Sequence, residues 1–177
     1  EITELSLTLN NPNHVTATGY DVYIWDDSGT IRLVSSPAWS SATSRGTGAG
    51  TAEIELVKGY LTNKVSQTVR NGASTYTMPA NRGLLVGSFY TSATGQTEKS
   101  KSKSYISNLY NRETTPLLAQ TTGSYTYTTA TMRAAGANTT LGQGRFEIFN
   151  CLNDRKLHAQ NSVVVYNASN AYMSCNI

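Results

Sequence analysis

The chain has 177 residues, 59 of them Ser, Thr or Asn, and charged side chains make up only 14%, well under the roughly 25% usual in globular domains. A formal net charge of +3 is too mild to argue for a nucleic-acid partner, and no apolar run approaches the roughly 20 residues of a membrane-spanning helix. The length fits one domain, 1–177, with a core of its own. The chain opens at Glu1 without an initiator Met and closes at Ile177 in strand-like sequence, so it is expected to be part of a larger protein.

Taken in order, Leu5, Leu7 and Leu9 alternate with polar residues and predict a half-buried strand that ends at Asn10-Asn11-Pro12-Asn13. Tyr20–Trp25 and Thr30–Val34 flank the turn Asp26-Asp27-Ser28-Gly29 and read as a hairpin. Residues 35–51 form a long Ser/Gly/Thr loop around Trp39. Ala52–Val57 predicts a strand with Ile54 and Leu56 on one face, and Lys58-Gly59-Tyr60-Leu61 predicts a turn. Val65–Val69 and Thr75–Met78 read as strands joined through the hairpin signal Asn71-Gly72. Leu84–Tyr90 has the composition of a central strand, and 105–111 is open between strand and short helix. Tyr125–Met132, Arg145–Cys151, Val163–Asn167 and Tyr172–Ile177 complete a set of about ten strands. The class is therefore all-β. An antiparallel β-sandwich, jelly-roll-like or Greek key, with long Gly/Ser/Thr loops is the architecture expected.

The chemistry on offer is sparse. Glu53 and Glu55 share a strand face about 7 Å apart, a separation a glycosidase could use, but catalytic pairs come from different elements, so a solvent-facing stripe is the better reading. Asp26-Asp27-Ser28-Gly29 lacks the spacing of a calcium loop and reads as a turn. Gly46-Thr47-Gly48-Ala49-Gly50 has no following Gly-Lys-Ser/Thr and reads as a loop. The two histidines, His14 and His158, stand near no nucleophile-elbow sequence and are expected at the surface. Lys99, Lys101 and Lys103 alternate with Ser as a solvated edge would. Cys151 and Cys175 match no zinc spacing, and a cross-strand disulfide or two buried thiols are both open. No catalytic residue, metal or cofactor is expected. Trp39, Tyr125 and Tyr127 are the candidate contacts for a receptor or a neighbouring subunit; Trp39 is also open to a structural reading, as a plug beneath its own loop.

Four segments occur in an order that resembles a β-rich domain of tailed-bacteriophage tail-fibre-like and virion structural proteins. They are Asp21–Thr30, Pro37–Thr51, Leu85–Thr91 with Gly95–Glu98 and Tyr110–Arg112, and Tyr125–Thr131. The chain departs from the family pattern at Lys99, where an acid is usual, at Ser107, where an aromatic is usual, and at Tyr125, where Trp is usual. The resemblance implies a non-enzymatic virion protein of a fibre, spike or capsid decoration, assembled in the host cytoplasm and exposed on the particle. It implies self-association as a homotrimer, other virion proteins as partners and a host-surface glycan as a candidate receptor, with no membrane insertion. Assembly in a reducing cytoplasm favours free thiols at Cys151 and Cys175 over a bridge. A lectin-like carbohydrate-binding module is the alternative, and a polysaccharide depolymerase acting through Glu53 and Glu55 a more distant one.

Overall fold

A computed structural model describes residues 4–112, 115–118 and 145–152, together with the backbone of strands 162–166 and 172–176. The described residues are strand and loop throughout, as the composition predicts, and none of them forms a helix able to cross a membrane. The elements are β1 Gly19–Asp27, β2 Thr30–Ser35, β3 Ile54–Val57, β4 Tyr60–Asn63, β5 Gln67–Asn71, β6 Ser74–Met78 and β7 Gly83–Ala93. They continue with β8 Gln96–Thr97, β9 Lys103–Ser104, β10 Ile106–Asn108, β11 Glu147–Ile148, β12 Ser162–Tyr166 and β13 Tyr172–Asn176.

Hydrogen bonding joins nine of these into one sheet of order β3-β4-β7-β1-β2-β5-β6, with β8 and β10 also on β7. The short pairs β9–β11 and β12–β13 stand apart from it. The expectation of an all-β antiparallel fold holds for the main sheet. Its described strands lie in one continuous curled sheet, and the finer division into a two-sheet sandwich or jelly roll does not emerge from their pairing. Connectivity demands the curl. A flat sheet would put β6 four strand spacings, roughly 19 Å, from β7. Only residues 79–82 join the two, and Met78 at the end of β6 packs against Gly83 at the start of β7. The buried Asn63 of β4 clasps this return: its Nδ2 donates to Val65 O (2.9 Å) and Pro79 O (2.8 Å), and its Oδ1 accepts from the Arg82 (3.2 Å) and Gly83 (2.8 Å) amides.

The core fills the inside of the curl. Tyr23 and Trp25 of β1 meet Val34 of β2, Val69 of β5, Met78 of β6, Leu85 of β7 and Cys151. Two hairpins turn on left-handed pairs, Ser28-Gly29 (φ 53° and 93°) and Lys58-Gly59 (φ 50° and 87°), the geometry that matches strand twist in a two-residue loop. The second of these makes Tyr60 and Leu61 a strand, where the sequence suggested a continuing turn. Within 105–111, Ile106–Asn108 form the strand β10, paired with Gly87–Phe89 of β7. Leu5, Leu7 and Leu9 keep their alternate burial without joining the sheet; Asn71 holds that segment by accepting from Thr8 N (3.0 Å) and donating to Ser6 O (2.7 Å).

His14 is buried, against the surface position expected of it. It packs on Tyr20 and Phe89 and links three segments: Asn10 N–H donates to Nδ1 (2.9 Å), Nε2 meets Ser35 Oγ (2.9 Å), and Ser35 Oγ donates to Arg70 O (3.2 Å). With Nδ1 accepting from an amide, the ring proton sits on Nε2, and no acceptor awaits a second. Burial, aided by the Arg70 charge, holds the imidazole below its ordinary 6.5.

Two outcomes are expected. Gly87 faces the Ser107 carbonyl on β10 so closely that a Cβ would overlap it; Gly87→Ala is expected to cost about 1–3 kcal/mol in urea unfolding by forcing β10 away. The depressed His14 pKa means that the unfolded chain takes up the proton first. Stability is complete above about pH 6.5 and falls as pH drops below it, by at most about 1.4 kcal/mol per unit. His14→Gln is expected to flatten that slope between pH 7.5 and 5.5 in melting curves.

Candidate functional site

β1 carries a charge where its alternation demands an apolar residue. Asp21 shares a face with Tyr23 and Trp25 and is wholly buried. Four donors converge on its carboxylate. Arg45 supplies two, Nε to Oδ2 (2.7 Å) and a terminal N–H to Oδ1 (2.9 Å). Trp39 Nε1 donates to Oδ2 (3.2 Å) and the Ser88 hydroxyl to Oδ1 (2.5 Å). Ser88 stands directly opposite Asp21 on β7. With its own proton engaged, Ser88 Oγ accepts the Cys151 S–H (2.8 Å). Arg45 also donates to the Cys151 carbonyl (2.8 Å) and lies over the Trp39 ring at 4.2 Å.

Burial pushes the Asp21 carboxyl up, while Arg45, Ser88 and Trp39 pull it back. For Arg45 burial acts downward, but the Asp21 contacts outweigh it and carry the guanidinium above its ordinary value. A raised acid opposes ionisation of the pair and a raised base favours it. The geometry decides for the ion pair, because N–H donors occupy both carboxylate oxygens and leave a carboxyl proton only the Ser88 oxygen to reach. Burial likewise raises the Cys151 thiol, which is free and inert as a nucleophile in this setting.

Trp39 is only 7% exposed. Its amide donates to Gly19 O (2.9 Å), and its ring and Phe149 press so close to Gly19 that a Cβ there would collide with both. This corrects the reading of Trp39 as a surface contact and supports the other one, a plug beneath its own loop. Tyr125 and Tyr127 lie outside the described residues. Cys175 pairs with Val163 in β12–β13, and its side chain also lies outside them.

The remaining sequence candidates are accounted for by local bonds. Glu53 is paired with Lys64 (2.6 Å) and accepts the Gly48 amide (2.9 Å), contacts that hold its carboxyl below the ordinary range. Glu55 lies in β3, opposite Thr62 of β4. Asp26 accepts the Gly29 amide (2.7 Å) and Asp27 pairs with Arg32 (2.7 Å), so the Asp-Asp-Ser-Gly segment is a turn. Among the described residues no group of acidic, His or Cys side chains is arranged to hold a metal ion.

An aromatic wall connects the sealed network to the surface. Trp39 and Phe149 lie 5.0 Å apart between ring centres, Phe149 and Tyr90 5.4 Å, and Tyr90 and Tyr105 5.2 Å. The outer side of the wall lines an open cleft of about 280 Å³ with Arg145, Glu147 and Ile148 at its edge. The Tyr105 hydroxyl donates to Glu147 Oε2, and Arg145 donates to Oε1 (3.0 Å). Burial and the Glu147 charge raise the Tyr105 hydroxyl, so it stays a protonated donor at neutral pH. Sequence reasoning missed this group. Tyr105 and Glu147 are 42 residues apart, and only the parallel pairing of β9 with β11 brings them together. No known family model, curated protein or solved structure matches the chain.

The network makes a direct stability prediction. Arg45→Ala leaves a buried carboxylate without its cation and is expected to cost about 3–5 kcal/mol. Chemical denaturation measures it, and Asp21→Asn combined with Arg45→Ala should recover part of the loss.

Proposed function

We propose that this chain is a non-enzymatic structural module of a bacteriophage particle, a fibre, spike or decoration component that serves assembly and host-surface attachment. The observation that carries the reading is where the family-like segments meet. Asp21 comes from the first segment, Trp39 and Arg45 from the second and Ser88 from the third, and their side chains bond to one another in one buried cluster. Residues from three of those segments therefore act on the fold. Their polar atoms are spent on each other, which suits a scaffold whose surface is left to vary. Self-association as a homotrimer follows by analogy with fibres. Leu56, Tyr60 and Tyr110, exposed at 69%, 58% and 61%, are better placed for subunit contacts than Trp39.

Immunogold electron microscopy of purified particles tests the proposal. Symmetry-related label on a fibre, spike or capsid is the expected result, with light scattering giving an oligomer at micromolar concentration. Absence of the chain from every particle would overturn it.

A further inference from the structure

We infer that Asn71 is a deamidation site guarded by the segment 4–9, and that its conversion to aspartate or isoaspartate releases that segment from the sheet irreversibly. Asn71-Gly72 is the one Asn-Gly pair in the sequence. Such a pair favours the reaction, because glycine has no Cβ to hinder the approach of its amide nitrogen to the asparagine carboxamide.

The Asn71 side chain ties together separate parts of the chain. Its Nδ2 donates to Ser6 O (2.7 Å) and to Leu33 O (3.0 Å), and its Oδ1 accepts from Thr8 N (3.0 Å). Beside it, the buried Gly72 donates its amide to Thr8 O (2.9 Å), and its carbonyl accepts from Asn13 Nδ2 (3.3 Å). The segment 4–9 joins no strand, and its bonds to Asn71 and Gly72 fix it against the β5–β6 hairpin.

The same bonds hold the reaction back. Attack requires the Gly72 nitrogen to lose its proton and turn toward Asn71 Cγ, yet that N–H is engaged by Thr8 O and the carboxamide by Ser6, Thr8 and Leu33. Local opening of the segment frees both groups. The Gly72 nitrogen then bonds to Cγ, and ammonia leaves that carbon to give a five-membered imide. Water opens the imide at Cγ to leave aspartate, or at the main-chain carbonyl to leave isoaspartate. One water is consumed and one ammonia released, with no change of oxidation state. Neither product can restore the tie. The aspartate carboxylate has no hydrogen to give the Ser6 and Leu33 carbonyls and turns a charge toward them. Isoaspartate adds a carbon to the main chain where Asn71 pairs with Ser74, which shifts the hairpin that Thr8 binds.

The test follows Asn71 by peptide mass spectrometry in the full chain at mildly alkaline pH, beside a synthetic peptide spanning Ser66–Thr77. Asn71 is expected to gain one mass unit, with isoaspartate among the products, more slowly than in the peptide by a factor of up to about a hundred. Thr8→Pro removes the N–H that Asn71 Oδ1 accepts and is expected to speed conversion in the chain at least about threefold. Hydrogen exchange on the aged wild-type chain, and on Asn71→Asp, is expected to show the Thr8 and Gly72 amides unprotected while those of Asp21–Trp25 in β1 stay protected. A rate equal to that of the peptide, or more than about a hundredfold below it, overturns the inference. So does a folded Thr8→Pro chain that converts no faster. A converted chain that keeps the Thr8 and Gly72 amides protected, or loses those of β1 with them, overturns it as well. The rate comparison and the aged wild-type chain decide the outcome even where a variant fails to fold.

Discussion

The buried ion pair between Asp21 and Arg45 is the constraint around which this molecule is arranged. A carboxylate on the core face of a central strand is tolerable only if a cation and further donors reach it. Meeting that demand draws the long loop after β2 down onto β1, aligns Ser88 of β7 across from the acid and fixes Cys151 at the cluster's edge. Such a pair adds little net stability over an apolar replacement of the same shape. Breaking it is what costs, because a placement of the loop that removes Arg45 leaves a charge buried alone. A loop rich in Ser and Gly thereby acquires one position.

The same cluster links the inside of the protein to its surface. Trp39 touches the ion pair on one side and Phe149 on the other, and Phe149 continues through Tyr90 to Tyr105. The order of the outer rings therefore derives from an interaction several side chains away. Aromatic residues suit this task because they carry large contact area with few rotatable bonds.

Much of the sheet was legible in the sequence. The hairpin from Tyr20 to Val34, the turn at Asn71-Gly72 and the apolar run from Leu84 to Tyr90 were each marked by alternation or by turn residues, which are local signals. What failed was long-range. Trp39 stayed open between a surface contact and a plug because its neighbours in sequence are polar, whereas its neighbours in space are Asp21, Arg45 and Phe149. His14 looked like a surface residue for the same reason. One clue was available: Asp21 lies in register with Tyr23 and Trp25, so a cation had to be nearby, and Arg45 stands in the loop that follows. Nothing comparable announced Tyr105 and Glu147, whose meeting depends on pairing between short strands far apart in the chain.

Asn63 carries a consequence of another kind. By bonding to both sides of the β6–β7 return it joins the strand next to one end of the sheet to the exit of the strand at the other. One amide therefore latches together β4 and β6, which stand five places apart in the strand order. An apolar side chain at that position would leave the Pro79 carbonyl and the Arg82 and Gly83 amides to find other partners, so the turn between β6 and β7 depends on a residue outside either strand.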